Sequence, residues 1–204
     1  MKFISILILS LLIISCECVN EVDTAKENIP EQNSSINLVN LSAKHKTLKV
    51  YSNDIFIEDK NYNIFENEAK KYISGNSIIN VRKNSEILLV NSVELVSNAN
   101  YIAFIYDFNT SLQLKYASKL KDNNFRLWNL TSSNTSIKLF NTNTLESFDI
   151  NSREISNLHL LNEGFYTLTY TINGLLKESS FEIKQNKKLD ICIIENNILK
   201  FEYS

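Results

Sequence analysis

From His45 onward, apolar and polar positions alternate with a period of two for most of the chain. Leu48 and Val50, then Ile55 and Ile57 beside Phe56, read as two short strands separated by the turn cluster Ser52-Asn53-Asp54. Between residues 64 and 73 the period shifts: Phe65, Ala69, Tyr72 and Ile73 fall on one face at helical spacing. Glu66 and Glu68 stand in the first turn, Lys70 and Lys71 follow, and Gly75 can close it. This predicts one short helix over about 64–73. From Ser77 the pattern becomes strand after strand, over 78–81, 86–96, 101–108, 112–116, 125–130, 136–140, 145–150, 155–161, 165–172, 175–183, 189–194 and 198–203. Asparagine stands at nearly every break, where its side chain bonds the local backbone and it tolerates left-handed geometry. Turn signals at this spacing predict a mainly β fold, an antiparallel β-sandwich or barrel-like domain.

Two stretches carry sharper expectations. A two-residue turn at Asn173-Gly174 would pair Ile172 with Leu175, Tyr170 with Lys177, Leu168 with Ser179 and Tyr166 with Phe181, which leaves Thr167, Thr169 and Thr171 on the polar face. A one-residue slip would turn the apolar set to solvent, so the register is well specified. Residues 101–106, Tyr-Ile-Ala-Phe-Ile-Tyr, are apolar on both faces and predict a central strand.

The beginning of the chain follows different rules. Lys2 precedes an apolar run from Phe3 to Leu9, then Ser10, then Leu11 to Ile14, Ser15 and Cys16. That is a positively charged start and an apolar core of signal-peptide length, well short of the roughly 20 residues that span a bilayer. A small residue directly before cysteine, behind branched aliphatics, is the pattern of lipoprotein processing. Residues 1–15 are therefore expected to be removed and Cys16 to be lipidated, tying the chain to a membrane through several acyl chains. From residue 16 to 43 no period is sustained and the one proline, Pro30, occurs. This predicts a flexible tether of roughly 30 Å root-mean-square span, although Leu38, Val39 and Leu41 could form a first edge strand or a short helix. Residues 44–204 are then the globular part, one β domain or two small subdomains.

The segment MKFISILILSLLIISC, the polar tether behind it and a body rich in Asn, Lys, Ile and Ser resemble the outer-surface lipoproteins of Borrelia-type spirochaetes. Only the first 16 residues carry a motif. Ile13 stands where the common bacterial lipobox prefers Leu, a departure that fits the looser spirochaetal pattern. The resemblance implies a lipid-anchored envelope protein, more often on the cell surface than beneath it.

Charge and chemistry exclude more than they assign. A net charge of −2 offers no basic field for phosphates, so nucleic acid is not an expected partner. Cys18 and Cys192 could form a disulfide, but a buried thiol at Cys192 is the better reading of its apolar surroundings. His45 and His159 lack ligand-spaced neighbours, which predicts no metal site, and His159 reads as a partly exposed strand residue. Three glycines cannot build a phosphate loop, and no nucleophile motif occurs, so no cofactor or catalytic residue is expected. Five tripeptides match the N-x-S/T glycosylation pattern, among them Asn40-Leu41-Ser42 and Asn129-Leu130-Thr131, and chance suffices for them in so Asn- and Ser-rich a chain.

Arg126 and Trp128 share one face of a strand and form a candidate recognition pair, weighed against an ordinary core tryptophan. The polar connections 117–124 and 131–135 are candidate binding loops on a β scaffold. Together these features predict a lipid-anchored, surface-exposed binding module for a host or environmental macromolecule, not an enzyme. The alternative is a periplasm-facing lipoprotein with a structural or assembly role in the envelope.

Overall fold

The computed structural model describes residues 33–204, apart from residues 67, 123, 144, 158, 173 and 196. The signal peptide, Cys16 and the first part of the tether lie outside the described residues. Among the described residues, fifteen strands form four sheets. One sandwich pairs β4 (Lys70–Ile73), β1 (Asn33–Asn40), β7 (Asn100–Phe108) and β8 (Ser111–Ser118), in that order, with a second sheet. The second sheet runs β3 (Ile55–Asn61), β2 (Thr47–Ser52), β5 (Gly75–Lys83), β6 (Glu86–Leu95). The other sandwich pairs β15 (Asn197–Tyr203), β14 (Lys188–Ile194) and β9 (Phe125–Asn129) with β11 (Leu145–Ile150), β10 (Thr135–Phe140), β12 (Gly164–Ile172) and β13 (Leu175–Ile183). Each sandwich closes over its own apolar core, Leu48, Val50, Val81 and Ala103 in the first and Leu127, Leu139, Leu168 and Ile191 in the second.

The second sandwich repeats the first. In both, a first inner strand runs parallel to a late one, β1 against β7 at Ile36↔Tyr101 and β9 against β14 at Phe125↔Leu189. In both, the next strand sits between a hairpin partner and the first strand of a second hairpin: β3-β2-β5-β6 and β11-β10-β12-β13. The place of β4, antiparallel to β1, is taken in the second copy by isolated antiparallel bridges from Ile155 to Trp128 and from His159 to Phe125. The expected strand over 155–161 is thus reduced to two bridges. β5 and β12 both open on a glycine at positive φ, Gly75 at 88° and Gly164 at 138°, a conformation that side-chain-bearing residues rarely adopt.

A third core welds the copies together through their inner sheets. Val39, Leu41, Ile102, Phe104 and Tyr106 from the first meet Trp128, Leu130, Cys192, Phe201 and Tyr203 from the second. The Phe104 ring meets Trp128 edge-on at 4.8 Å between centroids, a favoured aromatic geometry. Corresponding positions face one another: Val39 and Trp128, Leu41 and Leu130, Phe104 and Cys192 each occupy the same register in their own copy.

The mainly β expectation, with sheets built largely from antiparallel pairs, holds. The Asn173-Gly174 hairpin has the expected register, from Ile172↔Leu175 to Tyr166↔Phe181. β7, which contains residues 101–106, lies inside its sheet with both faces buried. Asparagine does much of the turning: Asn53, Asn63, Asn84, Asn98, Asn109 and Asn186 all have positive φ.

Two expectations are corrected. Among the described residues there is no helix over 64–73; Lys70–Ile73 is β4, with Ser34 paired to Tyr72. Tyr72 points into the core at 1% exposed and its neighbour Ile73 points out, an alternation that the helical arc could not satisfy once β1 offered a ladder. The second correction concerns the far end of the tether, since residues 33–40 are an internal strand between β4 and β7. Ile36 and Leu38 face one core and Val39 the other, so burial on both faces erased the alternation. Polar residues that made the stretch look like coil find partners: Ser34 Oγ donates to the Val96 carbonyl at 2.7 Å and Asn37 Nδ2 to the Glu66 carbonyl at 2.7 Å.

Candidate functional site

Arg126 and Trp128 do share a strand face, β9, but the face is an interior one. They are 3% and 0% exposed, so neither can meet a macromolecular partner. Their partner is Asp190 on β14, itself fully buried. Arg126 grips its carboxylate with two donors, Nε at 2.6 Å and Nη2 at 2.9 Å; Trp128 Nε1 and the Tyr203 hydroxyl each donate at 2.7 Å. Arg126 Nη1 donates to the Ser118 carbonyl at 2.7 Å, which ties the network to the other copy. Burial, followed by the adjacent Asp190 charge and hydrogen bond, pushes the Tyr203 hydroxyl far above its ordinary range. It therefore stays a neutral donor. The arrangement is a closed, satisfied polar core, and it does no chemistry on a ligand.

The two candidate loops are also more fixed than their composition suggests. In the connection after Ser118, Leu120 is buried, its N–H reaches the Tyr203 hydroxyl at 3.3 Å and its carbonyl accepts from Lys188 Nζ at 2.8 Å. The stretch 131–135 hangs on Asn129, whose Nδ2 donates to the carbonyls of Ser133, Ile150 and Asn151 at 2.8, 3.0 and 3.1 Å. Its Oδ1 accepts from Thr131 N–H and Oγ1. Asn40 does the same in the first copy, donating to the carbonyls of His45 and Lys60 and accepting from Ser42 N–H. Two of the five N-x-S/T tripeptides are therefore one repeated structural device.

The surface that departs from β-sandwich norms is the outer face of the β3-β2-β5-β6 sheet. One row crosses all four strands, Phe56-Tyr51-Asn80-Val90, and the next is Asp59-Lys49-Arg82-Ile87. Phe56, Val90 and Ile87 are 50%, 60% and 52% exposed, and Ile78 beside them is 47% exposed. The Arg82 guanidinium stacks on the Tyr51 ring at 4.3 Å, and Phe56 meets that ring edge-on at 5.5 Å. Asp54 accepts from Arg82 at 2.8 Å and from Asn80 at 3.1 Å, which fixes the stacked pair. At one end of this face, Lys44, Lys46, Lys49, Arg82 and Lys83 line a depression of about 300 Å³ with no carboxylate among its lining residues. A face of aromatic, aliphatic and cationic side chains, held by a rigid sheet, has the composition of a protein-binding surface.

Sequence reasoning passed over this face, though a signal was present. Apolar residues occur on both parities at Ile55-Phe56-Ile57, Ile78-Ile79 and 87–90, more than one buried face can use. The cations are scattered in sequence, and only the β2-β5 pairing brings Lys49 and Arg82 together.

Of the remaining titratable residues, Lys60 is buried on β3 and pairs with Glu58 at 2.8 Å and Glu66 at 3.0 Å. His159 packs on Phe148 and lies 3.6 Å from Glu146, a partly exposed position. Among the described residues no group of three or more His, Cys, Asp and Glu is placed to hold a metal ion. Cys192 is a free, buried thiol. No family model matches the chain, and no curated protein matches it in sequence.

Proposed function

We propose that this chain is a lipid-anchored protein of the cell envelope, displayed on the outer surface, and that its first sandwich docks a protein partner through the outer face of the β3-β2-β5-β6 sheet. The anchor rests on the Ile14-Ser15-Cys16 signal, with Cys16 as the lipidated residue. The observation that carries the binding role is the row Phe56-Tyr51-Asn80-Val90, exposed at its two ends, beside Arg82 and Lys49. Charge complementarity defines the partner: a protein surface with apolar side chains set among carboxylates, able to fill the patch and meet the cations at its end. No catalytic step is needed for this role.

The test has two arms. Protease added to intact cells should remove the protein without lysis; cleavage only after lysis would place it on the periplasmic side and overturn display. Full-length chain and a Phe56→Ser, Val90→Ser variant, immobilised in parallel, are then exposed to fractionated extracellular protein. Partners retained by the wild type are identified, purified and titrated. The variant should bind at least tenfold more weakly, and added salt should weaken the wild type. Equal binding by both chains would sink the assignment of this face.

A further inference from the structure

At the seam between the two sandwiches, the ends of both inner sheets enclose a half-open cleft of about 670 Å³. Its walls come in corresponding pairs from the two copies: Tyr106 with Ile194, Asp107 with Glu195, and Asn109 with Asn197, each pair at the same register past the end of the parallel β1–β7 and β9–β14 pairing. The loops held by Asn40 and Asn129 reach the same cleft, and each is tied to its acid. Ser42 Oγ donates to Asp107 Oδ1 at 2.8 Å, and Ser132 N–H donates to Glu195 Oε1 at 2.9 Å. The cleft is therefore built from both copies and is incomplete in either alone.

Tyr106 is the telling residue. It lines the cleft, is 3% exposed, and no described group hydrogen-bonds its hydroxyl. Burial raises its pKa, with nearby Arg153 opposing, so it offers a neutral O–H. A ligand in the cleft can hydrogen-bond that hydroxyl.

We infer that this cleft is a binding site for a neutral, hydroxyl-rich ligand, a saccharide of one or two rings. The volume suits a ligand of that size. Ile194 and Tyr62, one face of whose ring is covered by Lys46 Nζ at 4.2 Å, supply aliphatic and aromatic surface for the C–H face of a pyranose ring, with the largely buried Leu41 and Tyr106 behind them. Around them, Asp107 and Glu195 present acceptors and Asn109 and Asn197 present amides, the mixture that a rim of hydroxyl groups requires. The two carboxylates repel an anion, and Lys44, whose Nζ is bound to the Asn109 carbonyl at 3.0 Å, offsets one of their charges. Lys44 lines both this cleft and the depression at the end of the outer-sheet face, but Tyr51, Phe56, Val90 and Arg82 do not line the cleft.

The test uses the full chain in a detergent without a sugar headgroup. Cellobiose, lactose and N,N′-diacetylchitobiose are titrated at up to tens of millimolar, followed by saturation-transfer NMR and calorimetry. At least one should bind, one molecule per chain. Tyr106→Phe, which keeps the ring, should weaken it at least fivefold, and Glu195→Gln should weaken it too, both with unchanged melting temperature. Phe56→Ser should leave it unaltered. Binding of none of the three, or binding that survives both cleft variants, overturns the inference.

Discussion

Apart from β4, whose place in the second copy is taken by two isolated bridges, the two sandwiches share a topology, and the positions at which they differ show where each carries its distinctive polar and apolar groups. On their outer sheets, the first copy has Tyr51, Asn80 and Val90 where the second has Phe140, Thr167 and Ser180, and Arg82 beside Ile87 where the second has Thr169 beside Glu178. The second face has Leu145, 70% exposed, in the place of Phe56, with Phe165 and Leu176 also exposed, but it sets them around hydroxyls and charge and has no stacked arginine among them. On their inner sheets the contrast reverses. The second copy has Arg126, Trp128 and Asp190 in the register where the first has Asn37, Val39 and Ile102. One scaffold occurs twice; the first copy carries exposed apolar and cationic groups on its outer sheet, and the second carries a buried ionic network in the seam.

The largest expected effect breaks the inner contrast. Asp190→Ala leaves the Arg126 guanidinium buried without its anion, and breaking such a pair from one side costs about 3–5 kcal/mol. Urea denaturation of the full chain should show a loss of that order. Converting the network toward the first copy, with Arg126→Asn, Asp190→Ile and Tyr203→Phe together, should recover much of the loss, because nothing charged is then left buried. If Asp190→Ala is nearly neutral, the network is not the strut that its geometry describes.

A smaller effect sharpens what the copies have in common. Asn40 and Asn129 hold equivalent loops, so Asn40→Ala and Asn129→Ala should each cost about 2–3 kcal/mol, the sum of a few buried hydrogen bonds at roughly 1 kcal/mol each. Denaturation midpoints measure both. A large loss from one and none from the other would show that the repeated motif does equal work only on paper.

The outer contrast predicts binding changes with little change in stability. Phe56→Ser and Val90→Ser remove exposed apolar surface and should move stability by no more than about 0.5 kcal/mol each. Leu176→Ser on the second copy should alter neither stability nor partner binding, and a shared loss of binding would erase the distinction between the faces.

The sequence carries the β class, the Asn173-Gly174 register and the doubly buried β7 openly, because each depends on neighbours close in the chain. It hides the duplication. Asn40-Leu41-Ser42 and Asn129-Leu130-Thr131 occur in both copies, yet most other corresponding pairs, such as Val39 with Trp128 or Ile102 with Asp190, share burial and not chemistry. It also hides β1, whose partners β4 and β7 lie far along the chain, and it presents Arg126 and Trp128 without Asp190, the residue that decides that they face inward. Long-range pairing is the missing information in each case. The cleft is least legible of all, because its walls arise from both halves and no short segment contains them.

The smallest effect tests the seam itself. Cys192 occupies the register of Phe104, packs in the core between the inner sheets and is fully buried. Burial, with Asp190 adding and Arg126 opposing, raises its pKa well above the ordinary thiol value. A thiol that is both shielded and neutral reacts slowly, since the thiolate is the nucleophile. Under native conditions at pH 8, iodoacetamide should leave the peptide containing Cys192 unlabelled, as read by mass spectrometry, and should label it fully in denaturant. Labelling should accelerate only as the seam opens, so Asp190→Ala should speed it and Phe56→Ser should not. If Cys192 labels rapidly in the native wild type, the two inner sheets separate in solution, and a cleft built from both could not hold its walls in place.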